Sequence, residues 1–162
     1  PNAREAVTLV TAGLLFLTVV NSLLAFLAGM KMEVNVWQVT PALALAFRIE
    51  PLGMLFALVA STLWIVNSVY SIGYMRGHNE PRQTPFYVCF AVALAATMGL
   101  AFSANLFSLF IFYELLTLST YPLVAHSRTP EGMRGGRIYL CMLLGSSLLL
   151  LLPAILITYG LT

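Results

Sequence analysis

Residues 6–30, AVTLVTAGLLFLTVVNSLLAFLAGM, contain no charged side chain. A helix needs roughly 20 mostly apolar residues to cross a hydrocarbon core of about 30 Å, and this run is long enough. It has no small-residue cleavage site and exceeds the length of a signal-peptide core, so it reads as a true membrane helix although the sequence starts at Pro1. Working outward, residues 52–75 and 84–104 form further apolar runs, followed by 105–125 with one charge and by 138–161. In lipid a segment must satisfy its own backbone polar groups, so these five are expected to be helices.

The whole composition agrees. Of 162 residues, 60% are hydrophobic and 9% charged, against roughly 25% charged in a typical soluble domain. A chain this short has too little interior to hide that much apolar surface from water. The expected fold is an all-α membrane protein with about five transmembrane helices in a single membrane domain, residues 1–162. The net charge of +2 comes from one Lys, seven Arg and six Glu, with no Asp. The Arg residues sit in short connections, which fits topology signals and not a nucleic-acid surface. Cys89 and Cys141 both fall inside apolar runs without metal-ligand spacing and read as small hydrophobes.

Residues 31–50 break the pattern. From Glu33 to Val39 polar and apolar side chains alternate, Thr40-Pro41 marks a turn, and residues 42–50 alternate again. Period-two patterning around a turn predicts a short β-hairpin, which is marginal alone and needs neighbours. If the helices alternate in direction, Arg4, Arg76, Arg82, Arg128, Arg134 and Arg137 share one side, against Lys31 and Arg48 on the other. The positive-inside rule then puts the N-terminus in the cytoplasm and the hairpin outside.

One residue stands apart chemically. Glu114 lies near the middle of its apolar segment, roughly 14 Å along a helix beginning at Asn105. An acidic group at the centre of a membrane helix costs about 2.5–3.5 kcal/mol on insertion scales, and such groups usually mark ion or proton pathways. The alternative is a structural carboxylic acid that donates a hydrogen bond. Thr117 and Tyr121, at i+3 and i+7, share its helical face, and Pro122 denies Leu118 a donor, so the helix should bend or open there. Asn67 and Asn21 are candidate secondary polar positions, although intramembrane Asn, Ser and Thr more often act as glue between helices. Gly145-Ser146-Ser147 reads as a close-packing element. His126 follows the Glu114 helix and is a candidate proton relay. No phosphate loop, cysteine cluster, haem-holding histidine pair or catalytic triad is present, so no redox or hydrolytic chemistry and no cofactor are expected from this chain.

These residues carry a resemblance. Gly73-Tyr74-Met75-Arg76-Gly77, the stretch NLFSLFIFYELLTLSTYPLV at 105–124, and residues 136–145 (GRIYLCMLLG) resemble the antiporter-like subunits of respiratory complex I and of Mrp-type cation/proton antiporters. The resemblance implies a proton- or cation-translocating subunit in which Glu114 corresponds to the family's intramembrane glutamate. In that family the glutamate pairs with a lysine on a later helix, and this chain has no intramembrane Lys or Arg to match it. Members have about fourteen helices in inverted repeats, so the five here correspond to the second through sixth. The resemblance therefore implies a split subunit or a fragment, with other membrane subunits as partners, one of them bearing intramembrane lysines. The expected home is a bacterial or archaeal cytoplasmic membrane. Two rival readings remain: a non-conducting subunit that anchors its neighbours, and a quinone-lining subunit using Trp64, Tyr70 and Tyr113.

Overall fold

A computed structural model describes residues 2–38, 43–78, 83–126 and 129–160. The order is α1 (Asn2–Leu27), β1 (Glu33–Gln38), β2 (Ala44–Arg48), α2 (Pro51–Gly77), α3 (Gln83–Ala101), α4 (Leu106–Val124), then α5 (Pro130–Ser146), a π segment (Ser147–Leu151) and α6 (Leu152–Gly160). The last three form one continuous helical rod, Pro130–Gly160, which makes five helices long and apolar enough to span a bilayer. The chain is an integral membrane protein. Against the expected bounds, the first helix starts at Asn2 rather than residue 6, and the last at Pro130 rather than residue 138. Hydropathy marks only the lipid-crossing part of a helix, whereas caps and hydrogen bonds carry the helix on into water. Thr129 is such a cap: its hydroxyl accepts from the Gly132 N–H at 3.0 Å, and Pro130 sits at the first helical position. The expected turn at Thr40-Pro41, together with Arg82 and Arg128 of the charge bias, lies outside the described residues.

The chain divides into two compact units, residues 1–32 with 49–87 and residues 33–48 with 88–162. In the first unit α1 packs against α2. Glu5, Ala12 and Val19 are the buried residues of α1, one every two turns. The buried residues of α2 recur at steps of three and four, through Ala57, Ser61, Trp64, Ser68, Ser71 and Met75. Most are small, which lets two backbones approach where lipid supplies no hydrophobic drive for helices to associate. Beyond its last turn, α1 is closed by Gly29 at φ 85°, with Met30 N–H bonding to Ala25 O (3.2 Å) and Gly29 N–H to Phe26 O (3.0 Å). This is the paired closure that favours glycine in the left-handed region.

The second unit holds the hairpin. β1 and β2 pair antiparallel from Glu33↔Arg48 to Gln38↔Ala44, with an irregularity between Asn35 and Trp37. Arg48 bonds to Glu33 at 3.0 Å, and that guanidinium holds the Glu33 carboxyl below the usual carboxylate range. The neighbours the hairpin needs come from the α3–α4 connection. Arg48 N–H donates to Phe102 O (2.8 Å) and Ala104 N–H to Ala46 O (3.0 Å). Asn105 then does two jobs: its side-chain oxygen caps α4 by accepting from Ser108 N–H (2.8 Å), and its amide nitrogen donates to Ala44 O (2.7 Å). The fully buried Ser108 hydroxyl accepts from Ala46 N–H (2.9 Å). The start of α4 is thus bolted to β2.

Two glycines set how closely α4 is approached. A Cβ on Gly99 would meet the Phe112 ring at 2.3 Å, and one on Gly136 would meet Tyr121 and Ala125 at 3.2 Å. Gly145 behaves differently. A Cβ there meets nothing within 4 Å among the described residues, whereas Ser147, two residues on, is buried.

Candidate functional site

α4 carries Glu114 near its middle, with the helix start fixed by Asn105 and Ser108 as above. Phe112, two residues before Glu114, is held between Gly99 and the Phe47 ring, whose centroid lies 5.3 Å away. At the other end Tyr121 rests on Gly136, and Thr120 Oγ1 meets Tyr139 OH at 3.1 Å. The helix around Glu114 is therefore fixed in rotation from both ends.

Glu114 is half-buried as a residue, yet its Oε1 is buried without a hydrogen-bond partner among the described residues. That is costly to leave unanswered, because a buried acceptor has given up water and gained nothing. Thr117, one turn on, is buried, and Tyr121 is half-buried. The Thr117 carbonyl accepts from the Thr120 hydroxyl at 3.0 Å. His126 lies just past the helix end, half-buried, with its N–H bonded to Leu123 O at 3.3 Å. Glu114, Thr117, Tyr121 and His126 thus ride one helix and its end. Asn67 belongs to α2 in the other unit and is half-buried. Asn21 is exposed. Among the described residues no three His, Cys, Asp or Glu side chains gather as a metal site. Pro122 sits inside α4, which continues past it to Val124.

A second buried carboxylate escaped the sequence reading. Glu5 is only 5% exposed. Arg76, at the end of α2, reaches it with Nε at 3.1 Å from Oε1 and with Nη2 on Oε2, and the same Nη2 donates to Asn2 Oδ1 at 2.9 Å. Beside it Arg4 donates to Thr84 Oγ1 (3.0 Å) and to Gln83 Oε1, and its guanidinium stands 5.1 Å over the Tyr87 ring. The cluster ties together the ends of α1, α2 and α3. Arg4 and Arg76 entered the sequence reading as topology signals, and here both are engaged by side chains. The partners of the ion pair stand 71 positions apart, beyond the reach of any local pattern. The available signal was an Arg-Glu pair at one helix start and an Arg at the next helix end, which antiparallel helices bring to the same level.

No family model matches the chain. Individual relatives do. It is 34% identical over 86 residues to the NADH-quinone oxidoreductase subunit N of Desulforudis audaxviator, covering 52% of this chain and 17% of that protein. It is 28% identical over 82 residues to the NAD(P)H-quinone oxidoreductase chain 5 of a Picosynechococcus species, covering 51% and 12%. A third relative is the Na(+)/H(+) antiporter subunit A1 of Staphylococcus aureus, 31% identical over 81 residues, covering 49% and 10%. The chain shares distant, partial homology with the antiporter-like subunits of complex I and of Mrp-type antiporters. The matched stretches cover about half of this chain and less than a fifth of each of these relatives. Each relative is by name one subunit or chain of a larger assembly.

Proposed function

We propose that this chain works as an antiporter-like subunit of a multisubunit membrane complex, and that Glu114 is the carboxylate that takes up and releases a proton along its transport path. The observation that carries the reading is the Glu114 Oε1, buried at mid-helix with no partner among the described residues. Intramembrane carboxylates are expensive and are kept where an ion or proton must pass. The homology supports the class of protein, and the residue supports the role. Thr117 and Tyr121 would orient the carboxyl or hold water beside it, His126 would relay protons at the helix end, and Asn67 would serve as a further polar position on α2. The partner of Glu114 would be a lysine of another subunit, because a cation opposite a buried carboxylate offsets its desolvation. Positive-inside counting supports a cytoplasmic N-terminus.

The test is Glu114→Gln in the assembled complex, reconstituted with a proton gradient. The amide keeps the shape and cannot carry a proton. Coupled transport should vanish while the complex assembles normally. Wild-type transport in that variant would remove Glu114 from the path and leave the non-conducting, anchoring role.

A further inference from the structure

The last membrane helix is broken in register, and its sequence gives the cause. Pro153 has no N–H, so the Leu149 carbonyl loses its ordinary donor, and the pyrrolidine ring presses on that same carbonyl. The chain responds with one π turn, in which the Leu152 N–H donates to Ser147 O, five residues back. The consequence falls on Leu148. Its α-helical donor is the Leu152 N–H, now given to Ser147, and its π donor would be residue 153, a proline without one. The Leu148 carbonyl therefore loses both its α and its π donor, and the Leu149 carbonyl its α donor, in a segment where lipid offers none.

The depth of this break matters. Thr120 faces Tyr139, and Tyr121 and Ala125 face Gly136, so α4 and the last helix run antiparallel. Back from Thr120, Glu114 lies about 9 Å along α4, and on from Tyr139, Ser147 lies about 12 Å along the last helix. The two are level to within one helical turn, and the π segment packs against α4. Ser147 is 4% exposed, and its hydroxyl donates to Leu144 O at 3.0 Å, which leaves its lone pairs to accept. π turns of this kind recur at functional sites in other helices.

We propose that the Ser147–Leu151 break is a water-binding site at the depth of Glu114, with the Leu148 carbonyl and the Ser147 hydroxyl as acceptors. Water is the ligand that fits: it is small, it donates twice, and it can bridge two acceptors of one helix. The site stands on the helix's own hydrogen bonding, whereas its use in carrying protons to or from Glu114 rests on the reading above.

The experiment is hydroxyl-radical footprinting in 18O water of the complex in nanodiscs, with all co-extracted subunits, read by mass spectrometry of the peptides from this helix. Bound water labels the side chains beside it, so wild-type protein should show 18O at Leu148 and Leu149. Pro153→Ala restores a donor and a regular helix, and this labelling should be lost. Ser147→Ala, which leaves the helix register alone, should weaken it and covers the case in which Pro153→Ala fails to assemble. Absent wild-type labelling, or labelling unchanged in the variants that assemble, would overturn the site. Glu114→Gln separates the two readings: normal transport with labelling retained would refute the proton path and leave the water site standing, and lost transport with no label at Leu148 would do the reverse.

Discussion

Glu5 and Glu114 are both carboxylates with buried oxygens in membrane helices, and the protein treats them in opposite ways. Glu5 receives Arg76 on both oxygens, within a cluster that also engages Asn2, Arg4, Gln83 and Thr84. Glu114 has one oxygen buried with no partner among the described residues, on a helix whose rotation is fixed at both ends. A carboxylate whose capacity is filled by a guanidinium holds helices together. One held in place with capacity left over is available to a proton, a water or a cation from elsewhere. The contrast separates an acid tied down by a cation from one with unfilled capacity, and the proposed proton role belongs to the second.

The largest effect should therefore come from Glu114→Gln, which is expected to abolish proton-coupled transport with normal assembly, as read by proton flux in proteoliposomes. Glu5→Gln should do the reverse. It leaves Arg76 without its charge partner at the helix ends, so the complex should lose thermal stability or yield, while the fraction that assembles still transports. A transport defect in fully assembled Glu5→Gln complex, measured per molecule, would erase the contrast. Smaller again is Gly99→Ala. The added methyl would overlap the Phe112 ring, and overpacking of this kind costs typically 1–3 kcal/mol. It should lower the melting temperature and, because Phe112 leads into Glu114, slow transport by a lesser factor than Glu114→Gln.

The smallest effect belongs to the Glu33–Arg48 pair. Glu33 has a folded-state pKa below its unfolded value, so its contribution is complete above the unfolded pKa and is lost as pH falls through the folded one. Acid below the usual carboxylate range of about 4 should loosen the hairpin, and alkali should not. Hydrogen exchange of residues 33–48 against pH would show this, and Glu33→Gln should flatten the dependence.

Much of this architecture can be read from the chain, and the reasons differ by element. The five helices follow from apolar length and the hairpin from period-two alternation, both local signals. Glu114 is visible because a lone acid in an apolar run has no bland neighbours to hide among. The pairing of Glu5 with Arg76 is not visible, since it joins residues 71 positions apart. Nor is the bolt between Asn105, Ser108 and β2, because capping and hairpin docking use the same two side chains and only the fold brings them together. The close approaches at Gly99 and Gly136 are hidden for a related reason: a small residue permits close approach, and whether a neighbour takes up the offer is a tertiary fact. Nor is the π turn before Pro153 visible, because within a leucine run the hydropathy pattern gives no sign of it.

The most direct measurement is infrared difference spectroscopy of the assembled complex during turnover, following the C=O stretch of protonated carboxyl groups. A carboxyl band that appears and disappears with turnover, and is missing from Glu114→Gln but retained in Glu5→Gln, is the expected result. No turnover-linked band, or a band that survives Glu114→Gln and is lost in Glu5→Gln, would contradict the assignment of Glu114 as the transport acid.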